Sequence, residues 1–135
     1  QFLPILIALT SARRFKVNEF TAIAIAGALS GACEALAYAQ AVGLDPKLML
    51  ESISTGAAGS AQMNNVASRI LKDDFEPGFF IKHFIKDMKL ADEEALAADA
   101  RLGVLEYVLA MYEKLAGEGL GDLGTQALIK YYEKL

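Results

Sequence analysis

The stretch Leu71–Glu94, LKDDFEPGFFIKHFIKDMKLADEE, decides the predicted fold. Pro77 and Gly78 interrupt any helix there, so a turn is expected and a new helix should begin near Phe79. One face of that helix is apolar at spacings of three or four residues: Phe80, Phe84, Met88 and Ala91. Another face is charged: Lys82, Lys86, Lys89 and Glu93. Such a helix can border a cleft, or it can be an ordinary amphipathic helix with a solvated basic row.

The composition favours packed helices in one domain. The chain has 135 residues, 54% of them hydrophobic with much alanine, and only 3 prolines. A domain of this length buries roughly two-thirds of its unfolded surface. No alternating run of β-branched or aromatic residues lies between turns, so no strand is predicted. We predict an all-α fold of about six or seven helices around a long central helix, in a single domain over residues 1–135.

The central helix is predicted in the N-terminal third of the chain. A helix over Ile5–Ala12 follows Pro4, and Arg13-Arg14 either closes it or lies within a longer helix. A long alanine-rich helix runs from about Val17 to Val42. Gly43 is expected to end it in the left-handed conformation that favours glycine.

Capping residues place the later helices. Asp45 followed by Pro46 predicts the start of a short helix over Lys47–Ser54. Ser60 is a candidate cap for the next helix, Ala61–Leu71. Beyond the helix near Phe79, further helices are predicted along 102–115 and over 125–135.

Charge and residue usage exclude several classes of protein. The net charge is −4 and the lysines are scattered, so no nucleic-acid partner is expected. The one cysteine, Cys33, lies in an apolar run and is predicted to be a core residue in a cytoplasmic protein. The uncharged stretches 1–12 and 20–33 are shorter than the ~18–20 residues of a membrane span, so no membrane partner is expected. One histidine and no clustered carboxylates at ligand spacing predict no metal site.

Three blocks of the sequence resemble the helical C-terminal domain of the β-hydroxyacid dehydrogenase family. That family includes 3-hydroxyisobutyrate dehydrogenase and 2-hydroxy-3-oxopropionate reductase, and its C-terminal domain is similar to that of 6-phosphogluconate dehydrogenase. The blocks are EALAYAQAVGLDPKLMLESISTGAAGSAQMNN (34–65), DDFEPGFFIKHFIKDMKLADEEA (73–95) and GLGDLGTQALIKYYEKL (119–135). The second block contains a match to the family's "GF…KDL.LA" signature.

The resemblance implies hydride transfer between NAD or NADP and a small 3-hydroxy acid or its semialdehyde. In the family, a Rossmann domain binds the cofactor, while the helical domain lends active-site residues and forms the oligomer contact. No βαβ pattern is present here to carry a G-x-G-x-x-G cofactor fingerprint, so none is expected in this chain. We therefore expect the chain alone to bind no cofactor and to be inactive, and to form a homodimer. The alternative is a non-catalytic helical oligomerisation module or an inactive fragment.

The family's catalytic lysine stands in a K-x-x-x-N setting near the start of the long helix. Pairing without gaps places Asn18 at the lysine and Ala22 at the asparagine. Lys16 lies two residues earlier, about 200° round a helix, and takes the lysine position only with a two-residue shift in the pairing. Lys16 and Asn18 are thus the candidate catalytic residues. The resemblance implies cofactor-binding roles for Lys86, Phe79 and Asp87, although Phe79 can equally be a core residue.

Overall fold

The computed structural model describes the backbone of residues 2–134 and the side chains of residues 18–134. Six α-helices lie within that backbone: α1 Phe2–Ala41, α2 Pro46–Ile53, α3 Ala67–Ile70, α4 Ile81–Ala97, α5 Gly103–Leu115 and α6 Ile129–Tyr132. Two π-helical turns, Gln62–Val66 and Ala116–Leu120, and a 3-10 turn, Thr125–Leu128, complete the helical elements. The described backbone has no strand, and the all-α prediction is confirmed.

The long helix ends as predicted but is longer than predicted. The backbone from Phe2 to Ala41 forms one helix, so Arg13-Arg14 lie within it rather than closing an earlier one. Gly43 has φ of +75°, and the Leu44 N–H donates to the Ala39 carbonyl at 2.8 Å. The Asp45 carboxylate then accepts the Lys47 N–H at 3.0 Å and caps α2.

Helix α1 forms the centre of the core because its inward face is small. Its fully buried residues include Ala26, Leu29, Cys33 and Leu36, and the helix packs against both α4 and α5. Cys33 has no exposed surface, and burial raises the pKa of its thiol to about 12. Cys33 is therefore the core residue that the sequence predicted, and it is not a thiolate at neutral pH.

The apolar stripe of α4 starts one residue later than predicted. Its buried members are Ile81, Phe84, Met88 and Ala91. Phe80 is extended, with φ of −73° and ψ of 140°, and precedes the helix. Ile81 takes the expected place of Phe80 because the chain becomes helical only after this extended residue.

The length and composition of Asn18–Ala41 would suffice to cross a membrane, with 39% of its most apolar window buried. Only the uncharged stretches 1–12 and 20–33 were considered as membrane spans from the sequence, whereas this longer segment also contains Glu19 and Glu34. In the structure the segment is the helix around which α4 and α5 pack. Core helices of folded domains meet the same criterion.

Candidate functional site

The turn that leads into α4 is fixed by two side chains. The buried Gln126 donates through Nε2 to the carbonyl oxygens of Asp74 and Glu76, both at 2.9 Å. Arg69 donates to the Asp74 carboxylate at 2.8 and 3.1 Å and to the Glu76 carbonyl at 2.7 Å. The Arg69 hydrogen bond holds the pKa of Asp74 below its ordinary value. The chain therefore enters Pro77 and Gly78 from a defined position.

The first turn of α4 is capped by backbone groups from the C-terminal segment. The N–H groups of Ile81 and Lys82 donate to Leu123 O at 2.9 Å and Gly121 O at 3.0 Å. The Thr125 N–H donates to Phe79 O at 3.0 Å. These bonds satisfy donors that a helix start otherwise leaves without partners. They also hold Phe79 in place with 41% of its surface exposed.

A cleft of about 320 Å³ separates α1 from the start of α4. Two walls enclose it, which we call the α1 wall and the α4 wall. The α1 wall consists of Asn18, Glu19, Thr21, Ala22 and Ile25. The α4 wall consists of Phe79, Phe84, Asp87 and Leu90.

Three of the five predicted site residues meet in this cleft. Asn18 lies on one wall, and Phe79 and Asp87 lie on the other. Lys86 is exposed on α4 and does not line the cleft. The side chain of Lys16 lies outside the described residues.

The cleft combines hydrogen-bonding groups with an apolar ring surface. Phe79 contacts Phe84 edge to face, with ring centroids 5.9 Å apart. The polar groups are an amide, a hydroxyl and two carboxylates, from Asn18, Thr21, Glu19 and Asp87. Within the side chains described, no group of three His, Cys, Asp or Glu residues is placed to hold a metal ion. The arrangement can hold a small molecule that has a flat apolar part and polar substituents.

Sequence reasoning missed Glu19, Thr21, Ile25 and Leu90, which also line the cleft. Thr21 and Ile25 follow Asn18 by three and seven residues and share its helix face. Leu90 follows Asp87 by three residues in the same way. These helical spacings from the predicted site residues were the sequence signal that could have identified Thr21, Ile25 and Leu90.

A glycine run near the C-terminus has the spacing of the cofactor fingerprint, contrary to the expectation that none is present. Gly119-Leu120-Gly121-Asp122-Leu123-Gly124 reads G-x-G-x-x-G. This run connects a π-helical turn to a 3-10 turn. The cofactor fingerprint of a Rossmann domain instead connects a β-strand to an α-helix. The Gly124 N–H donates to the Phe75 carbonyl at 2.9 Å, and a Cβ on Gly124 would overlap the Gln126 side chain. The run shapes the packing around Gln126 and lacks the context of a phosphate-binding loop.

A family model described as "NAD-binding of NADP-dependent 3-hydroxyisobutyrate dehydrogenase" matches residues 7–132. The chain belongs to this family. A Bacillus subtilis protein called an uncharacterized oxidoreductase is 48% identical over 112 residues, which are 83% of this chain and 39% of the relative. A probable mitochondrial 3-hydroxyisobutyrate dehydrogenase-like protein of Arabidopsis thaliana is 45% identical over 113 residues, 84% of this chain and 34% of the relative. This family member thus spans little more than a third of the curated relatives it matches.

Solved structures of the family share the fold of this chain. A crystal structure of 3-hydroxyisobutyrate dehydrogenase from Salmonella typhimurium superposes with a TM-score of 0.81 and 23% identity, covering 85% of this chain and 40% of that one. The Mycobacterium tuberculosis enzyme with L-serine gives a TM-score of 0.74 and 21% identity, over 88% of this chain and 42% of that one. The predicted fold class is confirmed by these similarities.

Proposed function

We propose that this chain is the helical C-terminal domain of an NAD(P)-dependent dehydrogenase that acts on a small 3-hydroxy acid or its semialdehyde. The observation that carries the proposal is the cleft between the α1 wall and the α4 wall. The cleft brings together residues that are 61 or more positions apart in the sequence: Asn18 on one side, and Phe79 and Asp87 on the other. A second, dinucleotide-binding domain would complete the enzyme, which agrees with the 34% to 39% of each relative that the chain spans.

The groups of the cleft fit a nicotinamide ring. Phe79 offers a partly exposed aromatic face, and the Asp87 carboxylate can accept a hydrogen bond from a carboxamide N–H. When bound, the nicotinamide accepts or supplies the hydride. The residues of this chain orient the ring, and Asp87 and Lys86 are proposed to contact the cofactor at the edge of the cleft.

Lys16 and Asn18 are proposed as alternative candidates to act on the hydroxyl oxygen of the substrate, because positions two residues apart in a helix do not share a face. An ammonium group from Lys16 would stabilise the developing alkoxide and exchange its proton. In the other alternative, the Asn18 amide would donate a hydrogen bond to that oxygen but carries no titratable proton. The two roles predict different results: Lys16→Ala should flatten the pH dependence of kcat/KM, and Asn18→Ala should lower kcat/KM at every pH.

Activity of the full-length protein tests the proposal. Purified protein is mixed with NAD⁺ or NADP⁺ and a panel of small 3-hydroxy acids, and formation of the reduced cofactor is followed by absorbance. We expect turnover of at least one acid, with the Asp87→Asn variant impaired. Folded protein that turns over none of the panel and binds neither cofactor would contradict the assignment and favour the non-catalytic oligomerisation module.

The isolated chain of 135 residues gives a second test, because the cofactor needs a domain to hold it. NADPH titrated into this chain should show no saturable binding at micromolar concentration. The chain should also form a homodimer through the long helix, since Phe20 and Tyr38 of α1 are 65% and 70% exposed. Light scattering that gives the mass of one folded chain would contradict the dimer.

A further inference from the structure

A second cavity, of about 440 Å³, lies between α2 and the segment that contains α3. None of its lining residues lines the cleft between α1 and α4. Its volume lies within the roughly 300–1,000 Å³ of small-molecule sites. The lining residues are Lys47, Leu50, Glu51, Ser54, Asn64, Ser68, Leu71 and Lys72.

The charge at this cavity is opposite in sign to that of the chain. Its lining includes two ammonium groups, Lys47 and Lys72, and one carboxylate, Glu51, whereas the chain carries −4. Lys47 and Glu51 approach only to 4.0 Å, with side chains 73% and 64% exposed, so they neutralise each other weakly. Lys72 forms no salt bridge within 4 Å to any other side chain of the described range. A small anion is therefore the ligand that this lining favours.

The connection between the two sides of the cavity is tight, so the cavity is formed before any ligand binds. A Cβ on Gly59 would overlap the Ser54 carbonyl oxygen, so only glycine fits there. The Gly59 N–H donates to Gly56 O at 3.0 Å, and the Ser60 hydroxyl accepts the Met63 N–H at 3.0 Å. The backbone of this connection therefore needs little further ordering when a ligand binds, which lowers the free-energy cost of binding.

A π-helical turn provides an independent observation at the same place. Gln62–Val66 forms such a turn, and its Asn64 lines the cavity. Single π-helical turns are rare and occur frequently at functional sites, because the inserted residue shifts the side chains around it. The Asn64 N–H donates to Ser60 O at 2.8 Å, and Asn64 lines the cavity together with Ser54 and Ser68.

We propose that this cavity binds a small organic anion with a short apolar portion. Lys47, Lys72 and Asn64 supply donors for a carboxylate or phosphate group. Leu50, which is 7% exposed, and Leu71, which is 37% exposed, supply the apolar surface for an alkyl chain. The proposal does not depend on dehydrogenase activity, because the cavity and the cleft share no residue.

Methyl-labelled leucine in the full-length protein reports directly on binding, since Leu50 and Leu71 line the cavity. Nuclear magnetic resonance titrations use sodium isobutyrate, inorganic phosphate and, as a neutral probe, isobutanol. Saturable shifts of the Leu50 and Leu71 methyl signals with isobutyrate support the proposal. Phosphate binding of equal or greater strength would identify the head group as a phosphate. No saturable shift with either anion, or equal binding of isobutanol, would overturn the proposal.

Charge variants separate this site from nonspecific binding. Lys72→Gln and Lys47→Gln should each weaken anion binding about three- to tenfold, and Glu51→Gln should strengthen it about twofold or more. Lys89→Gln is the control, because this α4 lysine is exposed and lies outside the cavity. Circular dichroism shows that each variant is folded. Equal anion affinity in all four variants would overturn the proposal. The predicted gain of affinity in Glu51→Gln is informative because partial unfolding would lower the affinity rather than raise it.

Discussion

The two walls of the cleft are held in place by different forces. The α4 wall is fixed by hydrogen bonds: Gln126 holds the turn before it, and the backbone of Gly121 and Leu123 caps its first turn. The α1 wall belongs to a helix whose buried face is made largely of small side chains packed on α4 and α5. The position of the α4 wall depends on paired hydrogen-bond donors and acceptors, whereas the position of the α1 wall depends on close packing of side chains. Substitutions should therefore damage each wall by a different mechanism.

The largest loss is expected in the buried core behind the α4 wall. Phe84 is 1% exposed and contacts both Phe79 and the buried Tyr112, whose ring centroid is 5.3 Å away. Phe84→Ala should lower the free energy of unfolding by ~3–5 kcal/mol through lost burial and a new cavity. Urea unfolding followed by circular dichroism measures this. Leu48→Ala, at an α2 position that is 61% exposed, is the control, and an equal loss in both would contradict the packing described here.

The next effect probes the hydrogen-bonded wall alone. Gln126→Leu keeps the size of the side chain but removes the donor to the Asp74 and Glu76 carbonyl oxygens. Because the position is buried, we expect a loss of ~1–3 kcal/mol in unfolding free energy. Gln40→Leu, on an exposed position of α1, is the matched control. A stability unchanged from wild type in Gln126→Leu would mean that these bonds do not hold the turn.

A smaller effect comes from a single hydroxyl group. Tyr112 donates to the Thr125 carbonyl oxygen at 2.7 Å inside the core, and burial raises the pKa of its phenol. Tyr112→Phe should cost about 1 kcal/mol in thermal or urea unfolding, since the ring packing remains. The same change at Tyr107, which is 63% exposed, should cost almost nothing. A cost above that of Gln126→Leu would reverse the order proposed here.

The smallest effect is a pH dependence at Asp74. Arg69 lowers the pKa of this carboxyl in the folded protein, so folding favours its charged form. The contribution to stability is complete above the ordinary pKa of 3.8 and is lost as the pH falls through the lower folded value. The stability difference between wild type and Asp74→Asn should therefore shrink in acid. A difference that grows as the pH falls would contradict the sign.

Local chemistry explains which parts of the fold the sequence predicted. Gly43, Asp45 and Ser60 act through bonds to residues two to four positions away, and each ends or starts a helical segment as expected. The start of α4 was misplaced because its capping groups lie about 40 residues further along the chain, at Gly121 and Leu123. The π-helical turn at Gln62–Val66 likewise has no local signal in propensity or periodicity.

The site was predicted unevenly for a related reason. Phe79 and Asp87 were identified by resemblance to the family, and both line the cleft. Thr21 and Ile25 carry no motif, and only the packing of α1 on α4 shows that they face the same space. Lys86 matches the family signature equally well but is exposed outside the cleft, because neighbouring residues of a helix point about 100° apart.

The central claim is that the cleft between α1 and α4 is part of a dehydrogenase active site. Its most direct test is kcat/KM of the full-length protein for cofactor reduction in Asp87→Asn and in Glu93→Gln, an exposed carboxylate of the same helix outside the cleft. The account predicts a loss of about tenfold or more in Asp87→Asn and a change of less than about twofold in Glu93→Gln. Equal kcat/KM in both variants, with both folded, would contradict it.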